Sequence, residues 1–445
     1  LPFFKTALEA NPNIAQYWLS YIDALIELNC MDDAKAVFEQ AQTNGLQGEL
    51  FDKIKLKLGS SDSKNLNDKE PPKERLNSLI NLHTKGQYKA ALNGASQLLE
   101  QFPHSINLYN IIGASNQGLG KLTEAIDAYD KAISIEPYYA EAYNNMSVAL
   151  KDNENLKEAI EASKKAISIK PDYAEAYYNM GVYLQKQGNS EQATQAYYQT
   201  IALNPNHAEA YYNMGVNFEI LGKLELAITS YKHAVEIRPE YTSAVYNLSL
   251  LLSNFKAKKF SKKVEESFII ILGLDSVVRP EDISYSVITL LKHHKAVQDA
   301  ITATKFNDFY EAGHEICKNL SGVPLFLKII ELCPIADLEI ENMLIKLRKL
   351  LLLKRQTFLN SSKLLPFQKS LALNCFTNEY IFEETKEETR EVDKLLKQLQ
   401  QASTSGSQIS PSQIACLGSY RPLHLFSWTK KFKYLSGLED LFNRQ

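Results

Sequence analysis

From Ile106 to Pro239 the large apolar, small and polar positions return on a fixed beat. Tyr109, Ile112, Gly113, Ala125 and Tyr129 recur as Tyr177, Met180, Gly181, Ala193 and Tyr197, and again as Tyr211, Met214, Gly215, Ala227 and Tyr231. Pro103, Pro137, Pro171, Pro205 and Pro239 stand 34 residues apart. The string AEAYYNMGV is unchanged between Ala174–Val182 and Ala208–Val216, and a weaker copy, AEAYNNMSV, begins at Ala140. Proline cannot continue a helix, so Pro171 and Pro205 mark helix ends. Gly188 and Gly222, in QKQGNS and ILGKL, sit where another helix must stop. Each unit is therefore expected to be two antiparallel helices. Gly181, Gly215, Ala193 and Ala227 let the helices approach, and Tyr177, Tyr197, Tyr211 and Tyr231 fill the space beside them. One helix pair cannot bury its apolar face alone, so neighbours must stack and share a core. The copy from Ala140 departs from the pattern, with Ser147 for the glycine and Ser163 for the aromatic residue.

A 34-residue period carrying these positions resembles the tetratricopeptide repeat. The resemblance implies an all-α fold: a tetratricopeptide α-solenoid, a right-handed superhelix of helix-turn-helix repeats, followed here by an irregular helical C-terminal region. Before Pro103, Leu79, Ala91 and Ala95 fit the pattern without its first aromatic residue; after Pro239, Val245, Leu248, Ser249 and Leu252 fit a first helix. KAKKFSKKVEESF then loses register and reads as a degraded second helix. Near the N-terminus, Phe3–Pro12 matches a second helix with its closing proline, and Trp18, Leu25, Ala34, Phe38 and Ala41 mark a full repeat. A start in mid-repeat leads us to expect a piece of a longer chain. The expected organisation is an N-terminal repeat piece at 1–58, a flexible linker at 59–72 (polar, with two prolines), the main array at 73–263, a helical region at 264–402, a loop at 403–412 and a helical tail at 413–445.

Beyond about Val264 the period vanishes, but apolar residues still return every three or four positions in ISYSVITLLKHHKAVQDAI and PLFLKIIELCP. ADLEIENMLIKLRKLLLLKRQTFL reads as one long amphipathic helix, basic toward its end; ETKEETREVDKLLKQLQQA reads as a helix acidic first and basic later. SLALNCFTNEYIFEETKEET (370–389) and IACLGSYRPLHLFSW (414–428) resemble the helical segment between a tetratricopeptide array and an S-adenosylmethionine-dependent methyltransferase domain in bacterial proteins. The resemblance covers roughly residues 275–445. It implies a catalytic domain following Gln445, so no methyltransferase residue is carried over to this sequence.

Composition narrows the function. A net charge of -3 lacks the basic excess usual for a nucleic-acid binder. The five cysteines are widely spaced without a CxxC pair, which suits free thiols in a reducing compartment, and a cytoplasmic location is expected. No apolar run approaches the roughly 20 residues needed to span a bilayer. GLGKLTEA (118–125) lies at an inter-helix turn without the strand a phosphate loop needs, and Ser61-x-x-Lys64 falls in the linker. His314 and Cys317 could share a helical face, but no second ligand pair accompanies them. His293–His294 reads as surface. Glu379, Glu383 and Glu384 read as an acidic helix start rather than a carboxylate site. No catalytic residue, metal or cofactor is expected.

Asn145, Asn179, Asn213 and Asn247 are also 34 residues apart, at the sixth place of four first helices. Asparagine is a mediocre helix former, so its side chain needs a reason. In such a superhelix the first helices line a concave groove, where a column of carboxamides offers donors and acceptors to the backbone of an extended peptide. The arrangement resembles the asparagine ladder of O-linked N-acetylglucosamine transferase. Equally, these amides would hydrogen-bond within or between repeats. Tyr178, Tyr212 and Tyr246 stand beside them at the fifth place, and Glu141, Glu175 and Glu209 at the second, as further groove residues or as a solvated helix face. The expected function is an interaction scaffold with a protein or peptide partner in the groove. The alternative is the substrate-recruiting part of a methyltransferase. A glycosyltransferase of the O-linked N-acetylglucosamine type ranks last, since no βαβ alternation follows the repeats.

Overall fold

The computed structural model describes residues 8, 11, 14–27, 30–46, 48, 50–51, 54, 58, 70–274, 278–306, 309–358, 362–380, 382–432 and 438–444. The expected linker lies outside them except for its last three residues, and of the partial repeat Phe3–Pro12 only Leu8 and Asn11 are included. The described residues are helical, with no strand among them, and divide into two compact units, 1–183 and 184–445.

The first unit opens with α1 (Ala15–Glu27) and α2 (Met31–Thr43). Trp18, Leu25, Ala34, Phe38 and Ala41, at the positions the repeat pattern assigns, form their shared core together with Ile22. The array follows as α3 (Lys73–Thr84), α4 (Tyr88–Leu99), α5 (Ile106–Gly118), α6 (Leu122–Ile135), α7 (Ala140–Asp152) and α8 (Leu156–Ile169). Then α9 (Ala174–Lys186) contains the division between the units. In the second unit the pattern continues with α10 (Ser190–Leu203), α11 (Ala208–Ile220), α12 (Leu224–Ile237) and α13 (Thr242–Ser253). Helices α6, α8, α10 and α12 each stop two residues before a closing proline. Gly188 and Gly222 adopt φ of +85° and +67° at the turns between paired helices, which an L side chain would resist.

Volume matching explains the recurring glycine and tyrosine. A Cβ on Gly113 would lie 2.5 Å from the Tyr129 ring, and one on Gly215 would lie 2.6 Å from Tyr231. Both tyrosines are buried, as are Ala193, Ala227 and Tyr197; Tyr177 and Tyr211 are only half-buried. The departures at Ser147 and Ser163 belong together. Where the bulky ring becomes a serine, the glycine becomes one too. Both hydroxyls are buried and bonded to backbone carbonyls, Ser147 to Asn144 and Ser163 to Ala159.

Beyond α13 the second unit continues through α14 (Lys262–Ile271), α15 (Pro280–Leu291), α16 (Lys295–Ala303), α17 (Phe309–Ser321), α18 (Pro324–Leu332) and α19 (Leu338–Leu353). It finishes with α20 (Arg355–Phe358), α21 (Leu365–Thr377), α22 (Lys386–Ser405), α23 (Pro411–Gly418) and α24 (Glu439–Arg444). One periodic segment and one expected single helix are divided. ISYSVITLLKHHKAVQDAI breaks at 292–294, where His294 caps α16 by accepting from the Ala296 N–H. The long helix from Leu338 ends at Leu353, before Lys354 and Arg355, and Arg355 pairs with Glu391 at 2.8 Å. The acidic helix start also shifts. Glu379 precedes the helix with φ +52° and Glu384 binds Arg421; it is Thr385 and Glu388 that make the capping box of α22. The core here gathers Leu395, Leu399, Ile414, Leu417, Tyr420 and Leu441.

Candidate functional site

In successive first helices of the first unit, a sixth-place carboxamide is joined to the fifth-place carboxamide one repeat earlier. In the first unit Asn145 donates its side-chain N–H to Oδ1 of Asn110, one repeat earlier, at 2.9 Å. Asn179 repeats the contact on Asn144 at 3.0 Å. Asn110 in turn donates to the hydroxyl of Tyr139, the residue before α7, at 3.2 Å. Tyr173, in the same place before α9, has its hydroxyl pKa pushed up to about 12 by burial, helped by Glu175 and Glu141 and opposed by a hydrogen bond with Asn144. The result is a phenol–carboxamide–carboxamide relay, repeated once. Asn110 and Asn144 were not singled out in the sequence, although their 34-residue separation was there to be seen.

The relay uses one donor of each sixth-place asparagine. A carboxamide has two N–H groups and an acceptor oxygen, so Asn145 and Asn179, both half-buried, keep capacity for another polypeptide. Both readings of these residues therefore have a physical footing: they bind between repeats, and they retain groups to offer.

The fifth place changes chemistry from Tyr178 onward. Tyr212 packs between Tyr241 and Tyr231, with ring centroids 5.1 and 5.6 Å away. Asn247 donates to the Tyr231 hydroxyl at 3.2 Å instead of to a carboxamide. Tyr178 and Asn213 are half-buried and engaged within the protein. Tyr246 is 63% exposed, with Leu250 one turn on at 49%. Here the face is aromatic and apolar.

The second-place glutamates behave differently. Glu141 pairs with Lys170 at 3.4 Å, and Glu209 pairs with Arg238 at 2.7 Å; each partner directly precedes the repeat's closing proline. Partial burial tends to raise the Glu209 pKa, but its backbone hydrogen bond, Arg238 and His207 outweigh it and hold the carboxyl below its ordinary value. Glu175 is exposed.

A cleft of about 390 Å³ opens in the first unit between α3 and α5. Lys73, Asn77 and Ile80 line it from one helix and Asn107, Asn110 and Ile111 from the other. Asn110 thus belongs to both the cleft and the relay. Asn77 shares the register of the predicted ladder, two periods before Asn145, in the repeat that lacks the first aromatic residue. That periodicity was the available signal, and it was missed.

Other candidate chemistry does not assemble. His314 is exposed and stacks on Phe358 at 5.7 Å, while Cys317 is buried with its pKa pushed up to about 12 by desolvation. Among the described residues no three His, Cys, Asp or Glu side chains are grouped to hold a metal ion, and no helix is long and apolar enough to cross a membrane.

Comparison with known proteins agrees with this geometry. Residues 118–154 and 149–188 match a model described as TPR repeat, and residues 172–240 match one described as Tetratricopeptide repeat. No curated protein matches the chain. Among solved structures, MamA is 26% identical over 37% of this chain and 95% of its own, with a TM-score of 0.34. YrrB, described as a TPR protein with an unusual peptide-binding site, is 22% identical over 42% of this chain and 95% of its own, with a TM-score of 0.34. A third structure, described as a thermophilic TPR protein in Thermus thermophilus, is 21% identical over 40% of this chain and 98% of its own, with a TM-score of 0.35. With their 34-residue helix pairs, matched glycines and tyrosines and family-model matches, residues 118–240 of this chain are an array of tetratricopeptide repeats.

Proposed function

We propose that the chain is a protein-interaction scaffold that holds an extended segment of a partner polypeptide on the first-helix face of residues 73–183. The observation that carries this reading is the cleft between α3 and α5, whose wall residue Asn110 begins the carboxamide relay. An extended segment has an N–H and a C=O on each residue to satisfy, and carboxamides offer both partners without regard to side chains. Ile80, 46% exposed at the cleft, and Ile111 supply an apolar seat for one anchoring side chain. Because the relay fixes the carboxamides before a partner arrives, less ordering entropy is lost on binding. This reading assigns no catalytic step to the residues present, and no cofactor.

Dodecamer peptides selected from a random library on the full chain test the proposal. In the Asn77→Ala/Ile80→Asp variant their affinity is expected to fall at least tenfold, with helical content unchanged. Neither substitution touches the relay, so unchanged affinity overturns the reading.

A second reading, that residues 275–445 join the array to a methyltransferase, rests on the sequence resemblance alone. The coding sequence after Gln445 tests it: a strand followed by a glycine-rich loop supports it, and a stop codon removes it.

A further inference from the structure

The turns inside the preceding helix pairs are three residues long, at 119–121, 153–155, 187–189 and 221–223. Between α13 and α14 the turn is eight residues, 254–261. The added length brings Lys256, Lys258 and Lys259, all exposed, and Lys262 and Lys263 follow in the first turn of α14. Residues 254–264 hold five lysines and no acidic residue, in a chain whose net charge is -3.

Stability does not account for this arrangement. Lysines in the first turn of a helix oppose its macrodipole, which favours acidic groups there. Like charges gathered this closely also repel one another. Lys262 is offset by Glu265 at 2.7 Å; Lys256, Lys258, Lys259 and Lys263 have no carboxylate within ion-pair distance among the described residues.

The segment is nonetheless held in place. His293 donates from Nε2 to the Ala257 carbonyl at 3.2 Å, Ser286 donates to the Ser253 carbonyl at 2.9 Å, and the Phe260 ring sits edge-on to His294 at 4.7 Å. An anchored run of unpaired cations offers a preorganised surface to an anionic partner.

We propose that residues 256–263 are a docking surface for an acidic stretch of a partner polypeptide, separate from the first-helix face. Three features choose among anionic partners. Within 256–263 the aromatic ring is Phe260, and it is packed edge-on against His294 rather than presented to a base or a bilayer interface. The segment has no arginine, the residue suited to bidentate phosphate recognition. Lysine ammonium groups on flexible stems adapt to carboxylates of irregular spacing.

The test uses the full chain and a fluorescein-labelled ten-residue peptide of alternating glutamate and glycine. Its anisotropy is measured beside sedimentation with phosphatidylcholine–phosphatidylserine vesicles and gel shift of a single-stranded oligonucleotide. Wild type is expected to bind the peptide, and to bind it at least tenfold more weakly in 300 mM than in 50 mM salt. Lys256→Glu/Lys258→Glu/Lys259→Glu should lose the peptide, and the Gln triple variant should bind it at least fivefold more weakly, with circular dichroism unchanged for both. The Asn77→Ala/Ile80→Asp variant should retain it, which separates this surface from the cleft. No peptide binding by wild type, equal binding by the triple variants, or tighter binding of vesicles or oligonucleotide than of peptide overturns the proposal.

Discussion

Asn145 and Asn110 are joined side chain to side chain at 2.9 Å, across a distance of one repeat plus one residue. The bond ties α7 to α5 at the face where a partner is proposed to lie. Asn110→Ala removes both that acceptor and the donor to Tyr139. The cost is expected to be about 1–3 kcal/mol. In a double-mutant cycle with Asn145→Ala, the two losses should overlap by about 1 kcal/mol. Urea denaturation measures both, and strictly additive losses mean that the relay carries no energy.

Gly113 and Tyr129 give a second cycle. Gly113→Ala drives a methyl group into the ring and should destabilise the first unit by about 1–3 kcal/mol. In a Tyr129→Ala background the same change should cost almost nothing, because the obstructing ring is gone. Thermal melting checks the pair; an equal cost in both backgrounds contradicts the volume-matching account.

Much of this architecture could be read from the chain because glycine and tyrosine occupy positions that constrain each other and then repeat. The paired change to Ser147 and Ser163 has its sense only once the two are known to lie in the same helix pair. The relay was harder to read. Its members sit 35 residues apart, off the 34-residue beat, and the fifth-place asparagines give way to tyrosine after Asn144. The cleft hid because Asn77 belongs to the repeat that lacks the first aromatic residue. At Lys354 no glycine or proline announces the end of α19; the break is set by tertiary contacts such as Arg355 with Glu391.

Glu388 links acid stability to the C-terminal helices. Its carboxylate lies 3.7 Å from the buried Arg348 guanidinium and accepts from the Tyr420 hydroxyl at 2.9 Å. Burial tends to raise its pKa, but bonds from Thr385 and Tyr420, with Arg348, hold it below the ordinary carboxylate value. A depressed folded-state pKa stabilises the protein above the unfolded-state value, and that stability is lost as pH falls through the folded-state value. Glu388→Gln should therefore cost about 3–5 kcal/mol at pH 7 by stranding Arg348. The gap from wild type should close as the medium is acidified below the carboxylate range. Denaturation across pH measures it, and a gap that does not change with pH contradicts the assignment.

The ladder itself makes a prediction about binding. Asn145→Ala/Asn179→Ala should weaken a library-selected peptide by roughly three- to tenfold, about one charge-free hydrogen bond's worth of affinity. Isothermal titration with a circular-dichroism control reads the effect. Unchanged affinity would leave these two asparagines as inter-repeat struts alone.

The central claim is where the partner lies, and site-specific photocrosslinking tests it most directly. Benzoylphenylalanine is placed at Ile80, on the cleft, and in a second protein at Lys164, exposed on the second helix α8. With a peptide selected on the unmodified chain, the account predicts an ultraviolet-induced adduct at position 80 and none at 164. Labelling at 164 without labelling at 80 would contradict it.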